Sequence, residues 1–273
     1  MFSNVNEVIE QLRLAEAGGY KFTIEWSQSC YRDSSRIEDP WSYYFEPCFP
    51  ELEVSTISVS AGMVLRGGDK VACSRDNIIT PRLDDGQCTS LLPPRDRLGA
   101  NDLIKRYLHL KPHVMAKVED FKASNFRRSM IGLHVRGPGR IDGGVTGLRD
   151  RFGVSDNSVP MQPFFQQVDE ALKLLPESGI LACSDSSLVV EKIQERYGDR
   201  VVSYPSQRSI FGEMHASHSQ NKGHTFDNHE LGMDVICEAQ LLASTDIFVH
   251  GNSNVANFVI CANPLLIHAY IQA

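Results

Sequence analysis

The second half of the sequence alternates between short apolar runs and helical patterns, and this alternation constrains the fold more than any other feature. Predicted strands cover residues 130–135, 179–184, 200–204, 246–250 and 265–270, and predicted helices cover 161–175, 187–197, 229–244 and 253–262. Strands that alternate with helices favour a parallel sheet joined by right-handed crossovers. In such a sheet, ligands bind at the carboxyl ends of the strands.

The first half of the sequence has a less regular pattern. Apolar residues recur at helical spacing in residues 4–17, and residues 21–26 alternate like a strand. Residues 102–121 are helical, with Pro112 either kinking that helix or beginning a second one. A polar stretch at 124–128 separates this pattern from the next. The sequence therefore predicts an α/β protein with two domains, 1–128 and 129–273.

The composition narrows the class of protein. A net charge of −7 over 273 residues argues against a nucleic-acid-binding protein that depends on general positive charge, although a local basic cleft remains open. No apolar run approaches the ~20 residues of a membrane span, and no signal peptide is indicated. Seven cysteines without a CxxC pair favour a reducing compartment, with a Cys73–Cys88 disulfide as the open alternative. We expect a cytoplasmic protein without an integral membrane segment.

The end of the first predicted C-terminal strand carries the strongest binding signal. His134 and Arg136 lie two residues apart, so both side chains leave the strand on the same side. A Gly137-Pro138-Gly139 turn follows, and then Arg140. Glycine lets backbone amides approach a phosphate, and arginine binds its oxygens with a fork of N–H groups. The alternative is a strand end with a solvated, charged turn.

Later elements carry further polar candidates. Asp185 follows the next strand and either binds a ligand or caps the helix behind it; the same alternative holds for Ser253 at a later helix. Glu238 lies on an otherwise apolar helix, where a buried carboxylate needs an ion-pair partner or a ligand.

Two further groups of residues are candidate sites. The aromatic residues at 41–45 form either core or a platform for a sugar ring. The second group consists of five histidines between residues 215 and 250, and their spacings fit no zinc motif, so we predict no metal site. They are His215, His218, His224, His229 and His250.

Three strand-end motifs together resemble the fucosyltransferase superfamily, most of all the branch with the nodulation and α1,6-fucosyltransferases. His134 and Arg136 match an H-x-R motif, and Ser184-Asp185 matches a short motif after the next strand. Ser253-Asn254-Val255 matches a serine-amide-valine motif, and Glu238 falls where that family has a carboxylate. The resemblance is stronger after residue 129 than before it.

This resemblance implies a GT-B-like fold with two Rossmann-like domains, the C-terminal one holding the nucleotide sugar. It implies metal-independent, inverting transfer from GDP-fucose, a substrate rather than a cofactor, to a glycan acceptor. Arg136 would neutralise the leaving diphosphate, with His134 binding the diphosphate or orienting Arg136.

The remaining roles follow from the same resemblance. Asp185 and Glu238 would contact the nucleoside, and Ser253 with Asn254 would bind phosphate oxygens at a helix N-terminus. Arg140 would replace a cation of the family motif, and Asp142 is the candidate catalytic base.

Two other functions stay open from sequence. One is a glycosyltransferase of the same fold that uses another nucleotide sugar, and the other is a non-enzymatic nucleotide-binding or glycan-binding module. The sequence indicates neither the acceptor nor the oligomeric state.

Overall fold

The structure is a computed structural model. It describes residues 1–19, 21–26, 29, 31–50, 62–67, 70–73, 94–136, 160–209 and 227–271. In chain order the elements are α1 (Phe2–Ala17), β1 (Lys21–Glu25), α2 (Trp41–Tyr44), β2 (Gly62–Gly67), β3 (Lys70–Cys73), α3 (Pro94–Tyr107), α4 (Pro112–Asn125), β4 (Met130–His134), α5 (Met161–Leu174), β5 (Gly179–Cys183), α6 (Ser187–Tyr197), a 3₁₀ turn (Gly198–Arg200), β6 (Val201–Val202), α7 (Asn228–Ala243), β7 (Ile247–His250), α8 (Asn254–Ala262) and β8 (Ile267–Tyr270).

The chain divides into two compact units. The first combines Met1–Glu119 with Asp227–Ala239 and Asn254–Leu265, and the second combines Asp120–Phe226 with Gln240–Ser253 and Leu266–Ala273. Both units are discontinuous in sequence, whereas the two predicted domains are contiguous. No helix in the described ranges has the length and apolar character needed to cross a membrane.

The described strands of the first unit form an antiparallel sheet in the order β1-β2-β3. This differs from the parallel order of a Rossmann-like sheet. Only Gly68 and Asp69 separate β2 from β3, and a connection of two residues joins antiparallel strands, because parallel neighbours need a long crossover.

Helices in the first unit follow the predicted apolar pattern. Helix α1 buries Val5, Val8 and Leu12 completely, and Gly19 follows it with φ +65°, a conformation that glycine adopts readily. Pro112 begins a second helix, which decides between the two predicted alternatives.

The aromatic residues at 41–45 belong to the core of the first unit. All four aromatic side chains are at most 4% exposed, and the rings of Trp41 and Phe45 stack with their centroids 4.0 Å apart. The hydroxyl of Tyr44 donates a hydrogen bond to the carbonyl oxygen of His229 at 2.9 Å. Their burial supports the core interpretation over a platform for a sugar.

The second unit contains the predicted parallel sheet, with helices packed on it. Five strands pair in the order β6-β5-β4-β7-β8, all parallel. The α/β class with a parallel sheet flanked by helices is therefore confirmed. One face of the sheet forms an apolar core with α5 and α6, and its buried members include Ile131, Leu133, Ile180, Val168 and Ile193.

The other face has a point of close approach at Gly132 in the middle of β4. A methyl group added there would lie 2.8 Å from Oγ1 of Thr245 and 3.0 Å from Cδ2 of Leu242. The lack of room for a side chain therefore explains the glycine at this position. Backbone conformation does not explain it, because φ at Gly132 is not positive.

The order of the strands reverses once. From β4 the chain builds β5 and β6 on one side, and it then returns to place β7 and β8 on the other. The carboxyl ends of β4 and β7 are consequently neighbours, and His134 pairs in register with His250. Ligands of open α/β sheets bind at such a reversal point, because the crossovers leave it in opposite directions.

Candidate functional site

His134 is a buried, neutral imidazole at the carboxyl end of β4. Its side chain is 6% exposed, and neither ring nitrogen has a hydrogen-bond partner. Burial lowers the pKa of His134 from 6.5 to about 3, the positive charge of Arg136 and the proximity of His250 act in the same direction, and the nearby backbone of Cys183 opposes them. A neutral imidazole offers one donor and one acceptor. Leaving both nitrogens unpaired in the interior costs free energy, and hydrogen bonds from a polar ligand group would offset that cost.

Arg136 and Asp185 form an ion pair across the ends of two adjacent strands. Nη1 of Arg136 lies 2.5 Å from Oδ2 of Asp185, with the side chains 38% and 11% exposed. The pair forms because β4 and β5 are parallel neighbours, so the residues following both strands meet at one edge of the sheet. Ser186 occupies the N-cap position of α6, so Asp185 is not the capping residue.

His250 is fixed by hydrogen bonds on both ring nitrogens. Its Nδ1 lies 3.0 Å from the carbonyl oxygen of Gly251, and its Nε2 lies 3.1 Å from Nδ1 of His268. A carbonyl accepts only, so Nδ1 of His250 carries the proton, and Nε2 accepts from His268. Sequence reasoning did not predict either histidine as a site residue. A polar residue within the apolar strand Ile247–His250 was the available signal.

The other predicted residues fall in different places. Ser253 is buried in the second unit and directly precedes α8, so it occupies the N-cap position. Asn254 belongs to the first unit, where Nδ2 of Asn6 donates to its backbone oxygen at 3.1 Å. Glu238 also belongs to the first unit and is buried on α7. The nucleoside role of Glu238 and the phosphate roles of Ser253 and Asn254 remain predictions.

Arg140 and Asp142, with the glycine-rich turn before them, lie outside the described residues, so their predicted roles also remain predictions. The same holds for His215, His218 and His224. Within the described ranges, no group of three His, Cys, Asp or Glu side chains is placed to hold a metal ion.

The fold and the site define an α/β protein with a polar site at the strand-order reversal of a parallel sheet. No protein-family model matches the chain, and neither does any curated protein. Solved structures that resemble it include the fucosyltransferase NodZ from Bradyrhizobium (17% identity, TM-score 0.38, covering 63% of this chain and 49% of NodZ). POFUT1 in complex with GDP-fucose is 14% identical, with a TM-score of 0.41, over 63% of this chain and 49% of POFUT1. The chain spans about half the length of these proteins.

Proposed function

We propose that this chain is a glycosyltransferase that transfers a sugar from a nucleoside diphosphate to a glycan hydroxyl, with GDP-fucose as the sugar donor. One observation carries the proposal. A forked cation, Arg136, and an imidazole with two unpartnered nitrogens, His134, stand together where ligands bind in this class of sheet.

The chemistry of the reaction fits a cation at this position. The acceptor oxygen attacks the anomeric carbon, and the bond from that carbon to the diphosphate oxygen breaks, so the electron pair leaves with GDP. Negative charge then grows on the diphosphate, and Arg136 stabilises that charge. The proton of the acceptor hydroxyl passes to a base, for which we propose Asp142. A single displacement of this kind inverts the anomeric configuration.

The finer parts of the proposal come from the sequence resemblance. They are a GT-B arrangement of the two domains 1–128 and 129–273, a supporting cation at Arg140, a nucleoside contact at Glu238, and phosphate contacts at Ser253 and Asn254. For Asp185 the resemblance implies a nucleoside contact, whereas its ion pair with Arg136 supports a role through that arginine. We also propose that the transfer needs no metal ion and that the protein is cytoplasmic. Transfer that persists after chelation with EDTA is the expected result, because Arg136 supplies the positive charge at the leaving group.

Two rival functions make different predictions. A glycosyltransferase for another nucleotide sugar would bind UDP in preference to GDP, and a binding module would bind without transfer. Calorimetric titration with GDP, UDP and GDP-fucose distinguishes the sugar donors, and a transfer assay with oligosaccharide acceptors distinguishes an enzyme from a module.

Replacing Arg136 by alanine tests the proposal directly. The variant should keep the circular dichroism spectrum of the wild type and lose transfer activity. Undiminished turnover in Arg136→Ala would remove Arg136 from the mechanism, and a wild-type protein without transfer activity would contradict the proposed function.

A further inference from the structure

Arg208 connects the carboxyl ends of β5 and β6 through one guanidinium group. Its Nε donates to the carbonyl oxygen of Ser184 at 3.0 Å, and its Nη1 donates to that of Ser206 at 3.0 Å. Its Nη2 donates to Oγ of Ser203 at 3.0 Å and to the carbonyl oxygen of Tyr204 at 2.9 Å. The carbonyl of Ser184 belongs to the peptide bond that joins Ser184 to the site residue Asp185, so the guanidinium of Arg208 binds the backbone directly beside the site.

Ser209, the residue after Arg208, forms two further hydrogen bonds with the turn at residues 184–187. The amide of Ser209 donates to the carbonyl oxygen of Asp185 at 3.1 Å, and the amide of Ser187 donates to the carbonyl oxygen of Ser209 at 2.9 Å. Within the turn, the amide of Ser186 donates to Oγ of Ser184 at 3.1 Å. Residues 184–187 are thus held by backbone and side-chain bonds, and Asp185 extends its carboxylate to Arg136 from this held turn.

We propose that Arg208 is a positioning residue of the sugar-donor site. It fixes the turn at 184–187, and Asp185 on that turn holds the guanidinium of Arg136 where it meets the diphosphate. This inference rests on the proposed function and deepens it. Arg208 acts through Asp185 and Arg136 and does not itself touch the substrate. Four hydrogen bonds from one planar fork require arginine, because the lysine ammonium has only three donors and no fixed plane.

The chain offers a matched control at the opposite end of the same sheet. Arg200 precedes β6 and also donates to backbone carbonyls, those of Pro176 and Ser178. Arg200→Gln and Arg208→Gln each remove an arginine that binds main-chain oxygens in the second unit. Only Arg208 is connected to the turn that carries Asp185.

The experiment measures two quantities in the wild type, Arg208→Gln, Arg208→Lys and Arg200→Gln. The first is amide hydrogen exchange at Ser186 and Ser187, which reports the turn without any ligand. The second is the affinity for GDP by calorimetry, together with the KM values for the sugar donor and the acceptor. Both Arg208 variants should exchange faster at the two amides and raise the KM of the sugar donor alone. They should also bind GDP about tenfold more weakly, a loss similar to that seen when an outer-shell partner of a metal ligand is removed. Arg200→Gln should match the wild type in all of these.

The possible failures are distinguishable. Unchanged exchange in both Arg208 variants, or faster exchange with unchanged GDP affinity, overturns the positioning role and leaves the proposed function intact. A similar loss of GDP affinity in Arg200→Gln also overturns it, because the effect would then be general destabilisation. A wild-type protein that binds neither GDP nor GDP-fucose refutes the proposed function itself. If Arg208→Gln does not fold, Arg208→Lys decides by the same measurements.

Discussion

Arg136 and Asp185 face each other across the ends of β4 and β5, with Nη1 of the arginine 2.5 Å from Oδ2 of the aspartate. The carboxylate thereby limits the positions open to the guanidinium. A pre-oriented cation binds an anion at a lower entropic cost than a free arginine side chain, since fewer rotamers are lost on binding. The pair is partly exposed, so its value to stability is small, and we expect its main effect to be on the binding of an anionic ligand.

Lysine at position 136 should not replace arginine. Arg136→Lys keeps the charge but loses the planar fork that matches two phosphate oxygens, so we expect GDP affinity to fall by about tenfold or more. Arg196→Ala is the control, because the Arg196 side chain is about as exposed as that of Arg136 and also pairs with an aspartate, Asp169, at 2.7 Å. The control should bind GDP like the wild type and lose at most ~1 kcal/mol of stability. Equal affinity of Arg136→Lys and the wild type would contradict a bidentate role.

Replacing Asp185 by asparagine separates two roles for this residue. If Asp185 acts through Arg136, Asp185→Asn should weaken the binding of inorganic pyrophosphate and of GDP by the same factor. A direct contact with the nucleoside, as the sequence resemblance implies, would weaken GDP and leave pyrophosphate unchanged. Calorimetric titration with both ligands measures the two factors, and we expect them to agree because of the observed ion pair.

The burial of His134 should make stability depend on pH. Its folded-state pKa, about 3, lies below the value of 6.5 in an unfolded chain. Between these values only the unfolded state binds the proton, so stability is complete above about pH 6.5 and falls as the pH decreases toward 3. The loss approaches ~1.4 kcal/mol per pH unit.

Urea unfolding of the wild type and His134→Asn between pH 7 and pH 4 measures this contribution. The stability of the wild type should decrease more steeply than that of the variant as the pH falls. His113→Asn, at an exposed position on α4, is the control and should parallel the wild type. Parallel curves for all three proteins would show that His134 is not kept neutral by burial.

Two glycines should respond to alanine in opposite directions. Gly132→Ala places a methyl group 2.8 Å from Oγ1 of Thr245, so we expect a loss of roughly 1–3 kcal/mol from overpacking. Gly99 is exposed on α3, and its added methyl group would meet only Nη2 of Arg13, at 3.9 Å. Gly99→Ala should therefore stabilise the protein by roughly 0.5–1 kcal/mol, because glycine is a poor helix residue. Calorimetric melting of both variants measures the signs. A stabilising Gly132→Ala would contradict the packing at Gly132, and a destabilising Gly99→Ala would contradict the helix-propensity argument.

Much of the second unit was predictable because its strands are buried on both faces. Every residue of β4 and β5 is buried, and such strands appear in the sequence as continuous apolar runs. The strand at 200–204 was predicted too long, since it contains only Val201 and Val202. Ser203 and Tyr204 leave the ladder and instead bind Arg208 through a hydroxyl and a carbonyl. Hydrophobic periodicity does not indicate these side-chain hydrogen bonds, which connect residues only four and five positions apart.

Three residues of the candidate site were singled out from the sequence, but their pairing was not. The strand-end rule located His134, Arg136 and Asp185 without giving the order of the strands. Which ends are neighbours depends on that order, so neither the ion pair nor the register of His134 with His250 follows from sequence. Arg208 gave no signal, because an arginine in a polar segment is usually solvated.

The division of the chain also affects how the protein is made. The first unit includes Asn254–Leu265, so its last segment leaves the ribosome after nearly all of the second unit. Domains usually fold in the order of their synthesis. Here the N-terminal segment, Met1–Glu119, completes its unit only with residues synthesised more than a hundred positions later, and the face of α1 that packs against α8 stays uncovered until α8 has been made.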